Sequence, residues 1–344
     1  MAADLALDGV GTTPSRAGTG PWRQAGARLL RNRSAMVAAG ALVLIALACL
    51  LAPLYASAVA HTDPFVSNVS GTTIVNGQEV QVLQQSTEGL GLGVTPIGPT
   101  WDPGHYLLGA DNQGRDVMAR LLYGGRNSLL IGLSAALLCC ALATVLGVVA
   151  GYFGGWIDSI LSRCFDVIWA FPVYLLAICL SVVLLTSGLH VGPIHLDAGS
   201  LAMPVVIIAL IYVPYVARPL RGQVMALRGK DFLHAAVGIG AGDARVMWRE
   251  VLPNVLPTVV VFLPLMTALN MLTESALSFL SVGVQSPDAS WGTIINDGLA
   301  LLYSRPMITI SAGLFVALTA VALNVFGDGV RDALDPNARL RGGA

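Results

Sequence analysis

Few residues in this 344-residue chain could do chemistry, and their spacing argues against bond-making. The single lysine, Lys230, is followed by Asp231, so no Gly-x-x-x-x-Gly-Lys-Ser/Thr loop exists to cradle a nucleotide phosphate. No His-Glu-x-x-His pair is present to hold a catalytic zinc. His190, His195 and Asp197 share a Gly-rich stretch, but three ligand-type side chains without further donors read as a solvated loop, not a metal site. Cys139-Cys140 fits small apolar packing, since no His or carboxylate shares that run. The chain is therefore expected to bind no cofactor or metal of its own. What remains is a polar segment, 231–253, that carries Asp231, His234, Asp243, Arg245, Arg249 and Glu250 between two long apolar runs. That composition suits a docking surface.

The elements that must position this segment follow from composition. The chain is 55% hydrophobic and 11% charged, with net charge −1 and mean hydropathy +0.72; soluble domains carry about 25% charged residues. This is a membrane protein, and without a basic patch it has no nucleic-acid partner. Uncharged runs at 34–62, 127–157, 167–196, 198–217, 251–273 and 306–327 each reach the roughly 20 residues that a helix needs to cross a bilayer. Backbone polarity in lipid forces such runs to be helical. The expected fold class is an all-α polytopic membrane protein with six transmembrane helices. The first run starts too late and is too long for a cleaved signal peptide.

Lys and Arg set the orientation. The head (1–33) holds five Arg, the turn near Arg163 one, 218–249 six, and the tail beyond 330 three, against Arg115, Arg120, Arg126 and Arg305 on the other side. Both termini and 231–253 are thus expected in the cytoplasm of a bacterium, with the chain in its inner membrane. The organisation reads as a cytoplasmic head (1–33), a first span (34–56), an external segment (57–125), a five-span core (126–330) containing 231–253, and a cytoplasmic tail (331–344). Within the external segment, Gly71–Leu83 alternates, and Val75-Asn76-Gly77-Gln78 reads as a hairpin turn. Prolines 172, 204, 214, 257 and 264 lie in the apolar runs, where they suit either a kinked pathway or simple packing.

Within 231–253, Asp231 is placed to cap one short helix, with Phe232, Ala235, Ala236 and Ile239 on one face. Gly238, Gly240 and Gly242 break it. Asp243 is placed to cap a second helix that carries Val246, Met247, Trp248 and Val251 and ends at Pro253. Such helices gain little alone and make sense when an apolar face enters a groove or lies on lipid.

The spacing of His234-Ala235-Ala236, Gly240 and Glu250-Val251-Leu252-Pro253 resembles the EAA motif of bacterial ABC-importer permeases, with His234 in place of the leading Glu and Glu250 in place of the Ile. Further stretches resemble the second subunit type of the dipeptide/oligopeptide permease subfamily. They are Leu108-Gly109-Ala110-Asp111 with Gly114-Arg115-Asp116-Val117, Ala150 through Asp158, Ala170-Phe171-Pro172, Glu274 through Leu280, Ser290-Trp291-Gly292, and Gly327 through Pro336. The likeness covers about 22–56 and 104–337.

The resemblance implies a type I ABC-importer permease fold that works by alternating access. Asp231, His234, Ala235, Ala236, Gly240, Arg249, Leu252 and Pro253 would couple to the ATPase. The implied partners are two cytoplasmic ATPase domains carrying ATP and Mg, a second, homologous permease subunit, and an extracytoplasmic solute-binding protein. The substrate class would be di- or oligopeptides, with nickel, haem or other small solutes carried by near relatives.

Asp166, Arg218 and Glu274 sit at the ends of apolar runs, where snorkelling or capping accounts for them as well as function does. Glu274, near the outer end of span five, is the translocation-path candidate, because a cationic peptide terminus could meet it there. The rival readings are a secondary transporter and an intramembrane enzyme. The first lacks a paired repeat and a mid-span acidic relay; the second lacks a nucleophile–base pair.

Overall fold

With so few charges, this chain can lie in lipid only if its backbone is satisfied internally. The computed structural model describes residues 20–75, 77–86, 93–191, 194–197 and 199–335. Among the described residues five helices are long and apolar enough to cross a membrane, and six spans result if one bent pair counts as a single span.

The chain opens with α1 (Pro21–Arg31), an amphipathic helix packed on the last span. It stops at Asn32, whose Oδ1 accepts from Ala35 N at 3.2 Å and so caps α2 (Arg33–Leu50). A short α3 (Ala52–Ala58) follows. Three two-stranded antiparallel ribbons decorate the bundle. β1 (Thr72–Val75) pairs with β2 (Gln78–Gln81), and β3 (Leu83–Gln85) with β4 (Val94–Pro96). The Val75↔Gln78 register puts the expected hairpin in place, and Gly77 supplies the positive φ of its turn; Asn76 lies outside the described residues.

Next come α4 (Val117–Phe153), α5 (Gly155–Trp169) and α6 (Val173–Ser187). The third ribbon, β5 (Leu189–Val191) with β6 (Ile194–Leu196), leads to α7 (Ala202–Arg228). Then follow α8 (Asp231–Gly238), α9 (Asp243–Val246), a π turn (Met247–Val251), α10 (Leu252–Phe279), α11 (Trp291–Leu299) and α12 (Met307–Leu334).

Three expectations need correction. The second span begins at Val117, ten residues before its apolar run, because Asp116 caps it and the charges of Arg120 and Arg126 are carried within the helix. The residues near Arg163 are not a turn but part of α5, and α5 and α6 meet at 88° around Ala170-Phe171-Pro172. Proline disfavours the helical conformation of the residue before it, so the third apolar run is broken there. The stretch read as a solvated loop holds a ribbon, with His190 opposite His195.

α4 and α7 pack along much of their length, with α10 and then α12 completing the core. Glycines on α4 make this possible. A Cβ at Gly147 would lie 2.9 Å from Ala217 O of α7, and one at Gly132 2.9 Å from Met271 Cβ of α10. Around this core, Val37, Leu44 and Leu47 of α2, Val182 and Val183 of α6, and Ile310, Leu318 and Val321 of α12 are exposed. Such apolar faces on spanning helices require hydrocarbon around them. Replacing Gly151, whose Cβ would sit 2.7 Å from Val224 Cβ, by Val should separate α4 from α7 and cost about 2 kcal/mol. Thermal unfolding of the purified membrane protein should show this as a lowered midpoint, whereas Gly313→Val, within α12 and in open space, serves as the comparison for a β-branched residue in a helix without a clash.

Candidate functional site

The 231–253 segment is built from two anchors and an exposed surface. Leu233 (4% exposed) and Val246 (0%) bury in the main core and fix α8 and α9 to the bundle. Tyr152 Oη, at the end of α4, donates to Asp243 Oδ1 at 2.8 Å and ties the segment to a second span. Neither acid caps its helix as expected. Asp231 and Asp243 are the first helical residues, Lys230 and Gly242 occupy the cap positions, and neither of these makes a side-chain cap. The carboxylates instead favour the positive helix ends through the macrodipole.

Gly240 has a role only its type can fill. Its N–H donates to Val237 O at 2.9 Å, Ala241 N donates to Ala236 O at 3.1 Å, and its φ is +87°. This is a Schellman closure, and its left-handed residue is most often glycine. The second helix does not end at Pro253. Leu252 N donates five residues back to Met247 O, and the π turn carries α9 straight into α10, so Asp243–Phe279 runs as one 37-residue helix. The proline falls in the first turn of α10, just past that wide turn, where its ring and missing N–H are tolerated.

Outside the anchors, Asp231, His234, Ala235, Arg245, Arg249 and Pro253 are exposed, Ala236 and Leu252 half-buried. Ile239 (87%) and Trp248 (69%) project furthest, with Phe232 and Val237 also exposed. The expected apolar face therefore exists but is not folded away: Leu233, which was not assigned to it, takes the core position. Beside Trp248, a nearly all-apolar groove of about 430 Å³ runs between α4 and α10.

At the opposite end of the bundle, Glu274 is fully buried. Ser278 Oγ donates to its Oε1 at 2.7 Å and Ser275 Oγ approaches Oε2 at 3.4 Å, while the Ser128 and Ser290 hydroxyls lie beside it. In this conformation its carboxylate has no open face toward a pathway. Asp166 and Arg218 pair at 2.8 Å, half-exposed, with the guanidinium 5.1 Å from the Trp169 ring, which accounts for both without a role in transport. Among the described residues no cluster of three metal-ligand side chains occurs.

A second buried cluster at this end was not foreseen. Arg115 Nε meets Asp111 Oδ2 at 2.7 Å, and Arg115 and Arg120 converge on Asp297 Oδ2 at 3.1 and 3.0 Å. Arg120 also donates to Pro64 O at 3.2 Å. The cluster fastens the ribbon-bearing segment to α4 and α11. Burial pushes the Asp297 carboxyl up, against the pull of Arg120 and Arg115. Asp116 caps α4 through Oδ1 to Ala119 N at 2.8 Å, but its other oxygen has no partner, and desolvation raises its pKa to about 6. The sequence held the Asp111–Val117 motif, but nothing local pointed to Asp297, more than 170 residues away.

Comparison with known proteins agrees with this architecture. Residues 143–340, more than half of the chain, match the model of the binding-protein-dependent transport system inner membrane component family. The chain belongs to this family. Residues 20–69 of the permease also match the N-terminal transmembrane domain of oligopeptide transport permease C.

It is 32% identical to the dipeptide transport system permease protein DppC of Alkalihalophilus pseudofirmus over 93% of this chain and 91% of the relative. It is 32% identical to the oligopeptide transport system permease protein OppC of Bacillus subtilis over 92% and 90%. With the glutathione transport system permease protein GsiD of Pectobacterium atrosepticum it shares 36% identity over 68% and 73%. Among solved structures, an inward-facing MetNI methionine ABC transporter is similar at TM-score 0.51 and 15% identity, over 63% of this chain and 97% of that one, and shares the fold. The permease is thus a multi-pass membrane protein and a transport subunit.

The raised Asp116 pKa has a sign. A carboxyl near 6 in the folded permease and 3.8 unfolded disfavours folding once pH exceeds about 4, and fully so above about 6. Asp116→Asn keeps a capping side chain and removes the buried charge. It should stabilise the permease by about 2 kcal/mol at pH 7.5 and by little at pH 4. Denaturation of both proteins at the two pH values checks this; an equal difference at both would refute it.

Proposed function

We propose that this permease is one of two membrane subunits of an ATP-driven, binding-protein-dependent importer that carries di- or oligopeptides into a bacterial cell by alternating access. The carrying observation is the 231–253 segment: a rigidly anchored, left-open polar and apolar surface, continuous with a spanning helix, on a chain whose sequence contains no phosphate-binding loop. Such a surface suits a separate ATPase that hydrolyses ATP with Mg, one for each permease subunit. The names of the relatives, dipeptide, oligopeptide and glutathione permeases, support a peptide substrate.

The clustering of Lys and Arg in the head, in 218–249 and in the tail supports an inner-membrane orientation with both termini cytoplasmic. On this orientation the ribbons and the Asp111–Arg115–Arg120–Asp297 cluster face outward, where an extracytoplasmic solute-binding protein would deliver its load. The apolar groove beside Trp248 suits a second, homologous permease subunit.

In the docked state, Phe232, Ala235, Ala236 and Ile239 would enter a cleft of the ATPase, flanked by Asp231, His234 and Arg249. Gly240 would keep α8 at a fixed angle to α9. Leu252 and Pro253 would hand the motion to α10.

Affinity purification of the tagged permease from its native membrane should recover two ATPase subunits and a second permease. Vesicles bearing that complex and the binding protein should take up peptide when given ATP. A lone chain whose uptake collapses with the proton gradient would establish a secondary transporter instead. Because Ile239 and Phe232 are exposed, Ile239→Asp and Phe232→Ala should leave the permease folded yet weaken ATPase association about tenfold each. Retained ATPase in both variants would remove the docking role.

A further inference from the structure

Three hydroxyls around Glu274 belong to a relay. Ser278 Oγ accepts from Val284 N at 3.0 Å, Ser128 Oγ from Trp291 N at 3.2 Å, and Ser290 Oγ from Thr293 N at 3.2 Å. Of these, the Ser278 hydroxyl donates its own hydrogen bond to Glu274 Oε1 at 2.7 Å, and those of Ser128 and Ser290 lie beside the same carboxyl. One carboxyl thus sits among serines of α10, α4 and the α11 cap whose hydroxyls hold backbone donors of the loop after α10 and of the first turn of α11. A carboxylate has acceptor sites for about four such bonds, and Glu274 makes no ion pair among the described residues.

The surroundings fit a clasp. Trp291 is fully buried and its Nε1 donates to Leu121 O at 3.1 Å. Asn127 Nδ2 reaches Ala289 O at 2.8 Å. A side chain at Gly292 would collide with the backbone of Ser275, so α11 lies directly on α10. At its other end α10 continues unbroken to Asp243, about 45 Å away at 1.5 Å per residue.

We propose that Glu274 is a positioning residue for transport: it clasps α11 to α10, so that the outer helix follows the rod that begins at the docking segment. This rests on the importer reading above. It replaces direct contact with a cationic solute, which a residue with 0% exposure does not offer. Without the carboxylate, the Ser278 hydroxyl loses its acceptor and the pocket it shares with Ser128 and Ser290 is left empty, so that α11 is freed from the rod without any loss from the docking surface.

The test uses the complete transporter in vesicles, with native cysteines replaced by serine and spin labels at Leu280→Cys and Leu299→Cys, both exposed positions flanking the clasp. With Glu274 present, one narrow distance is expected in the nucleotide-free and ATP-bound states alike. Glu274→Ala should broaden that distance and lower peptide uptake about tenfold, while ATP hydrolysis per complex stays within about twofold. The loss should be the same for free and amino-acetylated peptides, and Glu274→Gln, which keeps an acceptor oxygen, should restore part of it.

A loss confined to peptides with a free amino group would overturn the clasp in favour of solute contact. A narrow distance with coupled uptake in Glu274→Ala would overturn it outright. Should that variant not assemble, Glu274→Gln, which keeps one acceptor oxygen, should shift both readouts the same way by less; no shift there counts against the clasp. If the wild-type complex shows no ATP-driven uptake, the importer reading fails, and the label distances still decide the clasp.

Discussion

A helix in lipid cannot leave backbone groups unpaired, and the permease depends on how that constraint is met where the polar 231–253 segment joins a spanning helix. A proline at that junction would be expected to stop a helix. The π turn at Met247–Val251 closes with a five-residue hydrogen bond to Met247 O and lets the chain run through Pro253 into α10. Had the helix ended there, 231–253 would be a tethered appendage. Because it does not, displacement of α9 is displacement of α10, and a surface outside the membrane is in rigid contact with a helix that crosses it.

The bundle around α10 makes that rigidity useful. Glycines on α4 admit α7 and α10 at close range, so the core is held by backbone proximity as much as by side-chain volume. At the end that carries 231–253, Arg221 grips Asp158 with Nε and Nη2 and joins α7 to α5, while Tyr152 joins α4 to α9. At the far end, two arginines and two aspartates share a buried cluster. Breaking such a cluster one residue at a time strands a charge in low dielectric, so its worth lies more in fixing one arrangement than in net stability.

Much of the fold was legible because the membrane imposes a single demand on sequence: long uncharged runs. Five of the six runs became continuous spanning helices on that ground alone. The third run, 167–196, broke at Phe171-Pro172, where local stereochemistry overrides hydropathy. In the 231–253 segment the first short helix and its glycine end were legible, since Gly240 sits where a left-handed residue must, but the second helix runs on into α10. The exact anchoring of the segment was not legible. Leu233 and Phe232 are adjacent apolar residues, and only the position of the core decides which one is buried.

By itself, the sequence determined that the chain spans a membrane, that it holds no nucleotide-binding loop, and that an ordered polar segment interrupts its spans. These follow from composition and spacing, which are local. Only the tertiary structure decided that Pro253 lies within a continuous rod, that Asp297 joins Asp111, Arg115 and Arg120, and that Glu274 is enclosed by serines from α4, α10 and the α11 cap. The reason is common to all three. Each depends on groups brought together by packing, or on a hydrogen-bond register one residue wider than the standard helix, and neither leaves a periodic trace in the chain.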